Sequence, residues 1–124
     1  MIMMGSNNLN GLGGVDRVAM GIRRYLVTGR SLAVWSGEPR FLLLSTPYTT
    51  GEGFSGSGEQ LVRIMAEEKE LTKALRQLSV EMDCGFLDVN QFASAEGYDR
   101  SHLTEEGHLA LARGIGARVL DMLG

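Results

Sequence analysis

At 124 residues, with 44% hydrophobic residues and near-neutral mean hydropathy, the chain has the size of one domain and can bury about two-thirds of its unfolded surface without disulfides or a structural metal. A net charge of -3, with twelve basic residues dispersed among fifteen acidic ones and Arg23-Arg24 as the single basic pair, lacks the electrostatic footprint of a nucleic-acid or acidic-membrane binder. The lone Cys84 can form no internal bridge, and no apolar run approaches the roughly eighteen residues that span a bilayer.

Along the chain, short apolar runs alternate with stretches of helical periodicity, the pattern of crossover helices joining parallel strands. Met1-Ile2-Met3-Met4 is the first expected strand and runs straight into Gly5-Ser6-Asn7-Asn8. Val15, Val18, Ile22, Tyr25 and Leu26 then fall on one helical face, with Arg17, Arg23 and Arg24 elsewhere on the wheel and fraying expected near Gly29. Phe41-Leu42-Leu43-Leu44 is the second strand, ending in Ser45-Thr46-Pro47; residues 49–58 are a Gly- and Ser-rich loop too polar for a core.

The longest amphipathic stripe follows, made by Leu61, Ile64, Met65, Leu71, Leu75, Leu78 and Met82. Ser57 with Gln60 three positions on fits a capping box, and Glu67, Glu68, Lys69, Glu70, Lys73 and Arg76 are expected on the solvated side. Phe86-Leu87-Asp88-Val89 is the third strand, with Asp88 a structural residue ending it. A last helix starts after a Thr104 cap, its acidic Glu105 and Glu106 suited to the positive end of the dipole, and buries Leu111, Ile115, Val119 and Met122.

The segment Tyr98-Asp99-Arg100-Ser101-His102 places an acid and an imidazole three residues apart. At that spacing in a turn the carboxylate can fold back to accept a hydrogen bond from Nδ1–H, which leaves Nε2 to take up a proton. A capped turn beside an ordinary loop histidine gives the same pattern, so the surroundings decide between the two.

Those surroundings are a Leu-Thr cap, a Gly-His pair and an apolar C-terminal helix, and with them the block resembles the last conserved block of the SGNH, or GDSL-type, serine ester hydrolases. That family also ends a strand in G-x-N-D, whose Asn donates a hydrogen bond to the oxyanion. Here Gly5-Ser6-Asn7-Asn8 puts Asn7 in the donor position and Asn8 in place of the Asp. The resemblance implies a three-layer α/β/α sandwich with a parallel sheet, flavodoxin-like and truncated at its N-terminus, as one partial domain over residues 1–124. It further implies a carboxylic ester hydrolase working through an acyl-enzyme, with catalytic His102 oriented by Asp99, Asn7 in the oxyanion hole, and no metal or organic cofactor. Tyr48 and Phe54, in the loop after the second strand, are candidates to line the acyl pocket.

The family's nucleophile sits in a G-D-S block, and none occurs in this chain. The nearest approach to a G-x-S-x-G elbow, Gly53-Phe54-Ser55-Gly56-Ser57, fails at its last position, so Ser55 and Ser57 are expected as loop and cap residues. The fold is therefore expected to begin before Met1, the polypeptide alone to be nearly inert, and its localisation is left open because an export signal would precede the missing part. The strand at residues 1–4 is expected to be a bare edge that invites self-association. Two rival readings stand beside the hydrolase: a non-catalytic interaction module or pseudoenzyme, and a gene fragment with no function of its own. His108 is expected as a packing or surface residue, the two histidines and Cys84 make no zinc set, and Gly11-Leu12-Gly13-Gly14 is no dinucleotide fingerprint because Asp16 stands where the third glycine belongs.

Overall fold

Each of the three apolar runs forms a short strand in the computed structural model, which describes residues 1–9, 14–51, 56–96 and 102–124, with backbone alone at Asn7 and Asn8. β1 (Ile2–Met3), β2 (Leu42–Leu44) and β3 (Gly85–Leu87) lie parallel in the order β1-β2-β3. Ile2 sits opposite Leu43 and Met3 opposite Leu44, while Leu42, Leu43 and Leu44 face Gly85, Phe86 and Leu87. A short helix α1 (Ser6–Leu9) follows β1, and α2 (Gly14–Ser31), α3 (Gly58–Glu81) and α4 (Glu105–Leu123) supply the outer layers.

Strand alternation divides the core in two. Ile2 and Leu43 point into a cluster with Ile22 and Leu26 of α2 and Leu71, Leu75 and Leu78 of α3. Leu42, Leu44 and Leu87 point the other way, onto Leu111 of α4, with Ile115, Val119 and Met122 packed around it. The result is a three-layer α/β/α arrangement around a small parallel sheet, as expected from the alternation of apolar runs and helices. Leu26, Leu43, Leu44, Leu71 and Leu75 are almost entirely removed from water, each contributing about 1.5–3 kcal/mol of burial free energy.

The caps follow the local rules. The Ser57 hydroxyl accepts from Gln60 N while the Gln60 side chain accepts from Ser57 N, closing the capping box of α3. Thr104 Oγ1 accepts from Gly107 N at the start of α4.

Several expectations need correction. Tyr25 does not share the buried face of α2 but is 57% exposed, because Leu26 beside it takes the inward position. That helix also passes Gly29 and continues to Ser31. The third strand stops at Leu87; Val89 begins a 3-10 turn (Val89–Gln91), which Asp88 caps by accepting from Asn90 N. Glu68 is the largest departure. It is only 4% exposed and lies inside the packed face of α3, not on its solvated side.

Candidate active site

In a parallel sheet with crossover helices, ligands bind outside the carboxyl ends of the strands, where the loops diverge. All three strands here end at the same edge, and each hands over to a segment that the sequence singled out.

After β1 the chain turns at Gly5, whose φ of 123° lies outside the range of ordinary L-residues. A Cβ on Gly5 would come within 2.7 Å of Val18 Cγ1. Only glycine lets β1 close onto α2 here and start α1, which carries the backbone of Asn7.

After β2 the chain is pinned to the loop after β3 by a buried polar network. Ser45, fully buried, donates through Oγ to Asp88 Oδ1 at 2.8 Å and accepts from Val89 N at 2.9 Å. Asn90 Nδ2 donates to the Thr46 carbonyl at 3.0 Å and to Asp88 Oδ1 at 3.1 Å, and Asn90 Oδ1 accepts from Tyr48 N at 2.8 Å. Asp88 thus acts structurally, holding two strand ends together. These bonds are sheltered, and leaving one partner of such a network unsatisfied costs about 1–3 kcal/mol.

The same loop is tied down twice more. The Glu68 carboxylate accepts from both the amide and the hydroxyl of Thr49, each at 2.8 Å, and Thr50 Oγ1 donates to the Ala95 carbonyl at 3.3 Å. Tyr48, half-buried, therefore stands on a loop anchored to α3 on one side and to the β3 loop on the other.

His102 is exposed and lies two residues ahead of Thr104, so the cap of α4 fixes where the chain leaves it. Its proposed partner Asp99 lies outside the described residues, as does Phe54, and of Asn7 only the backbone is described. His108 is exposed on α4. The segments that carry Asn7, Tyr48 and His102 all emerge from the carboxyl edge of one sheet. Among the described residues no group of three or more His, Cys, Asp or Glu side chains is placed to hold a metal ion, and no helix is long and apolar enough to cross a membrane.

Glu68, Ser45 and Asn90 were not singled out by the sequence. For Glu68 a signal existed: with Ile64, Leu71, Leu75, Leu78 and Met82 it keeps a 4-3-4-3-4 spacing, which is a core register. Nothing comparable marks Ser45, or the reach of Asn90 to Thr46 and Tyr48, because these partners lie more than 40 residues away along the chain.

No protein-family model matches the chain, and no curated protein matches it significantly. Solved structures do match over nearly its whole length. A carbohydrate acetylesterase family member from Sinorhizobium meliloti is 28% identical with a TM-score of 0.80, covering 98% of this chain and 60% of that one. A second carbohydrate acetylesterase from the same organism is 20% identical at a TM-score of 0.81, covering 98% and 59%, and the aryl esterase of M. smegmatis is 22% identical at 0.78, covering 97% and 59%. The chain thus has the fold of these esterases and spans about three-fifths of their length.

Proposed function

We propose that this chain is the His/Asp-bearing part of a carboxylic ester hydrolase of the SGNH type, which works by acyl transfer through a serine supplied by a segment outside residues 1–124. In this reading a serine hydroxyl attacks the ester carbonyl while His102 Nε2 takes its proton. Asp99 accepts from Nδ1–H and holds the imidazole in the useful tautomer, and the proton then passes to the leaving alcohol. Water, activated by the same imidazole, releases the acid. Asn7 donates a hydrogen bond to the oxyanion; a donor of this kind is worth roughly a hundred- to a thousandfold in rate.

The observation that carries the reading is positional. The D-x-x-H block leads directly into the Thr104 cap of α4, and the G-x-N block ends β1 at the same sheet edge, in a fold matched by esterases over almost all of this chain. Tyr48, on its anchored loop, and Phe54 line the acyl side. The acetylesterases among the matched structures make acetyl the first acyl group to try.

The absence of G-D-S favours a second reading for the isolated polypeptide, an inert binding module of the same fold. Hydrolysis of a short-chain nitrophenyl ester separates the two. The chain alone should show no turnover above background. A form carrying a strand and G-D-S block ahead of Met1 should turn over, and His102→Ala should lower its kcat by at least about a hundredfold. An extended form whose activity ignores His102→Ala would rule out the assigned roles.

A further inference from the structure

The connection from α2 to β2 is exposed at every one of residues 31–38, yet it is not polar. Leu32 is 48% exposed, Val34 76% and Trp35 45%. Apolar side chains scattered singly over a surface need no explanation, but a contiguous group marks a contact site. The loop is also held in place. The Gly29 carbonyl accepts from Trp35 Nε1 at 2.6 Å and from Leu32 N at 3.4 Å, which ties the loop to the end of α2. With its N–H already satisfied, the indole ring can leave water without stranding a donor.

The charge of -3 divides unevenly around this loop, which a count over the whole sequence does not show. Residues 14–40 hold five of the twelve basic residues, Arg17, Arg23, Arg24, Arg30 and Arg40, against two of the fifteen acidic ones, Asp16 and Glu38. Arg23 is paired with Glu81 of α3. Among the described residues no carboxylate pairs with Arg24, Arg30 or Arg40. Arg24 is exposed on α2, about two turns before the helix ends. Arg40 is exposed where the loop returns to β2, and Arg30 lies at the loop's other foot, its guanidinium donating to the Asp83 carbonyl at 3.0 Å. The recess that Arg30 and Arg40 share also carries Glu38, Asp83 and an Asp121 bound to Arg118, so the positive excess lies on the α2 side of the loop.

We infer that Leu32, Val34 and Trp35 enter the surface of an anionic lipid bilayer, with Arg24 and Arg40 meeting its phosphate headgroups. An apolar tip beside cations is the chemistry of an interfacial anchor, and an amphipathic indole settles at headgroup depth. Arginine suits the contact because its planar fork matches phosphate oxygens. The loop stands out from the fold at all eight of residues 31–38, so it offers no groove for a peptide and fits a soft surface better than a rigid one. A symmetric contact with a second copy would set the arginines of both copies against each other. The loop lies at the amino ends of the strands, so docking leaves the opposite edge, with the candidate active site, facing away from the membrane. The inference therefore does not depend on the ester-hydrolase reading.

Trp35 is the single tryptophan of the chain, so its fluorescence reports on the proposed contact alone. The full chain is mixed with vesicles of phosphatidylcholine, or of phosphatidylcholine with phosphatidylglycerol. Only the anionic vesicles should shift Trp35 emission to the blue and carry the chain into the pellet, and high salt should weaken both effects. Val34→Asp should lower vesicle affinity by about tenfold or more, as should Arg24→Ala combined with Arg40→Ala. All three positions are exposed, so the Tm of the variants should match that of the parent chain. Unchanged emission with anionic vesicles, or equal binding to neutral ones, would overturn the proposal. So would the same blue shift with inorganic phosphate alone, which would give the site to a free anion. A dimer in vesicle-free sedimentation that Val34→Asp splits would overturn it too, by assigning the loop to a second copy.

Discussion

Glu68 reaches out of the packed face of α3 and receives both the amide and the hydroxyl of Thr49, at 2.8 Å each, so that a buried carboxylate holds the loop beside the candidate site. A carboxylate removed from water in this way is tolerated because both of its oxygens are hydrogen-bonded. Glu68→Ala should cost about 2–4 kcal/mol in urea unfolding, because it strips an acceptor from two sheltered donors and opens a cavity. Glu68→Gln, which keeps one carbonyl acceptor, should cost about half as much. Hydrogen exchange at the Thr49 amide should accelerate in both variants, and an unchanged rate would mean that the loop is held by other contacts.

Two glycines two residues apart on α4 should respond in opposite directions. A Cβ on Gly114 would lie 2.6 Å from the Phe92 ring, so Gly114→Ala forces the ring aside and should destabilise by about 1–3 kcal/mol. Gly116 meets nothing, and Gly116→Ala should stabilise the isolated chain by about 0.5–1 kcal/mol through helix propensity. Thermal unfolding of the two variants is sufficient; a loss in both would contradict the open space beside Gly116.

At the opposite edge of the sheet, burial pushes the Cys84 thiol above its ordinary pKa, and the nearby Arg30 guanidinium offsets this only in part. The thiolate is the reactive form, so alkylation in the folded chain should still be rising at alkaline pH where the urea-unfolded chain has levelled off. The sign for stability follows from the same shift. The contribution is fully present below the ordinary thiol pKa and is lost as pH rises through the raised one, because the unfolded chain sheds its proton first. Superimposable rate profiles for folded and unfolded chains would contradict the burial of Cys84.

The parts of this fold that were legible in the sequence are those governed by neighbours along the chain. The Ser57–Gln60 box and the Thr104 cap involve residues three apart, and the leucines of β2 had no polar alternation to mislead. Tyr25 and Leu26 stand three and four positions after Ile22, so both keep helical spacing and periodicity alone does not choose between them; the packing buries Leu26 and leaves Tyr25 exposed. The charge of Glu68 points to water while its spacing is that of a core position, and the partner that decides between them, Thr49, lies 19 residues back in a loop. The bonds from Ser45 to Asp88 and from Asn90 to Thr46 are invisible for the same reason, since they join two strand ends and no local pattern encodes them. The candidate site was legible only through resemblance, in two short blocks whose chemistry depends on one imidazole and its orienting acid.

The tautomer of His102 tests that chemistry most directly, and it can be read in the chain as it stands by long-range proton–nitrogen NMR of the neutral imidazole. With Asp99 accepting from Nδ1–H, the wild-type ring should be held as the Nδ1–H tautomer, and Asp99→Asn should shift it toward Nε2–H. Finding Nε2–H as the main form in both chains would contradict the orienting role of Asp99 and, with it, the acyl-transfer assignment of His102.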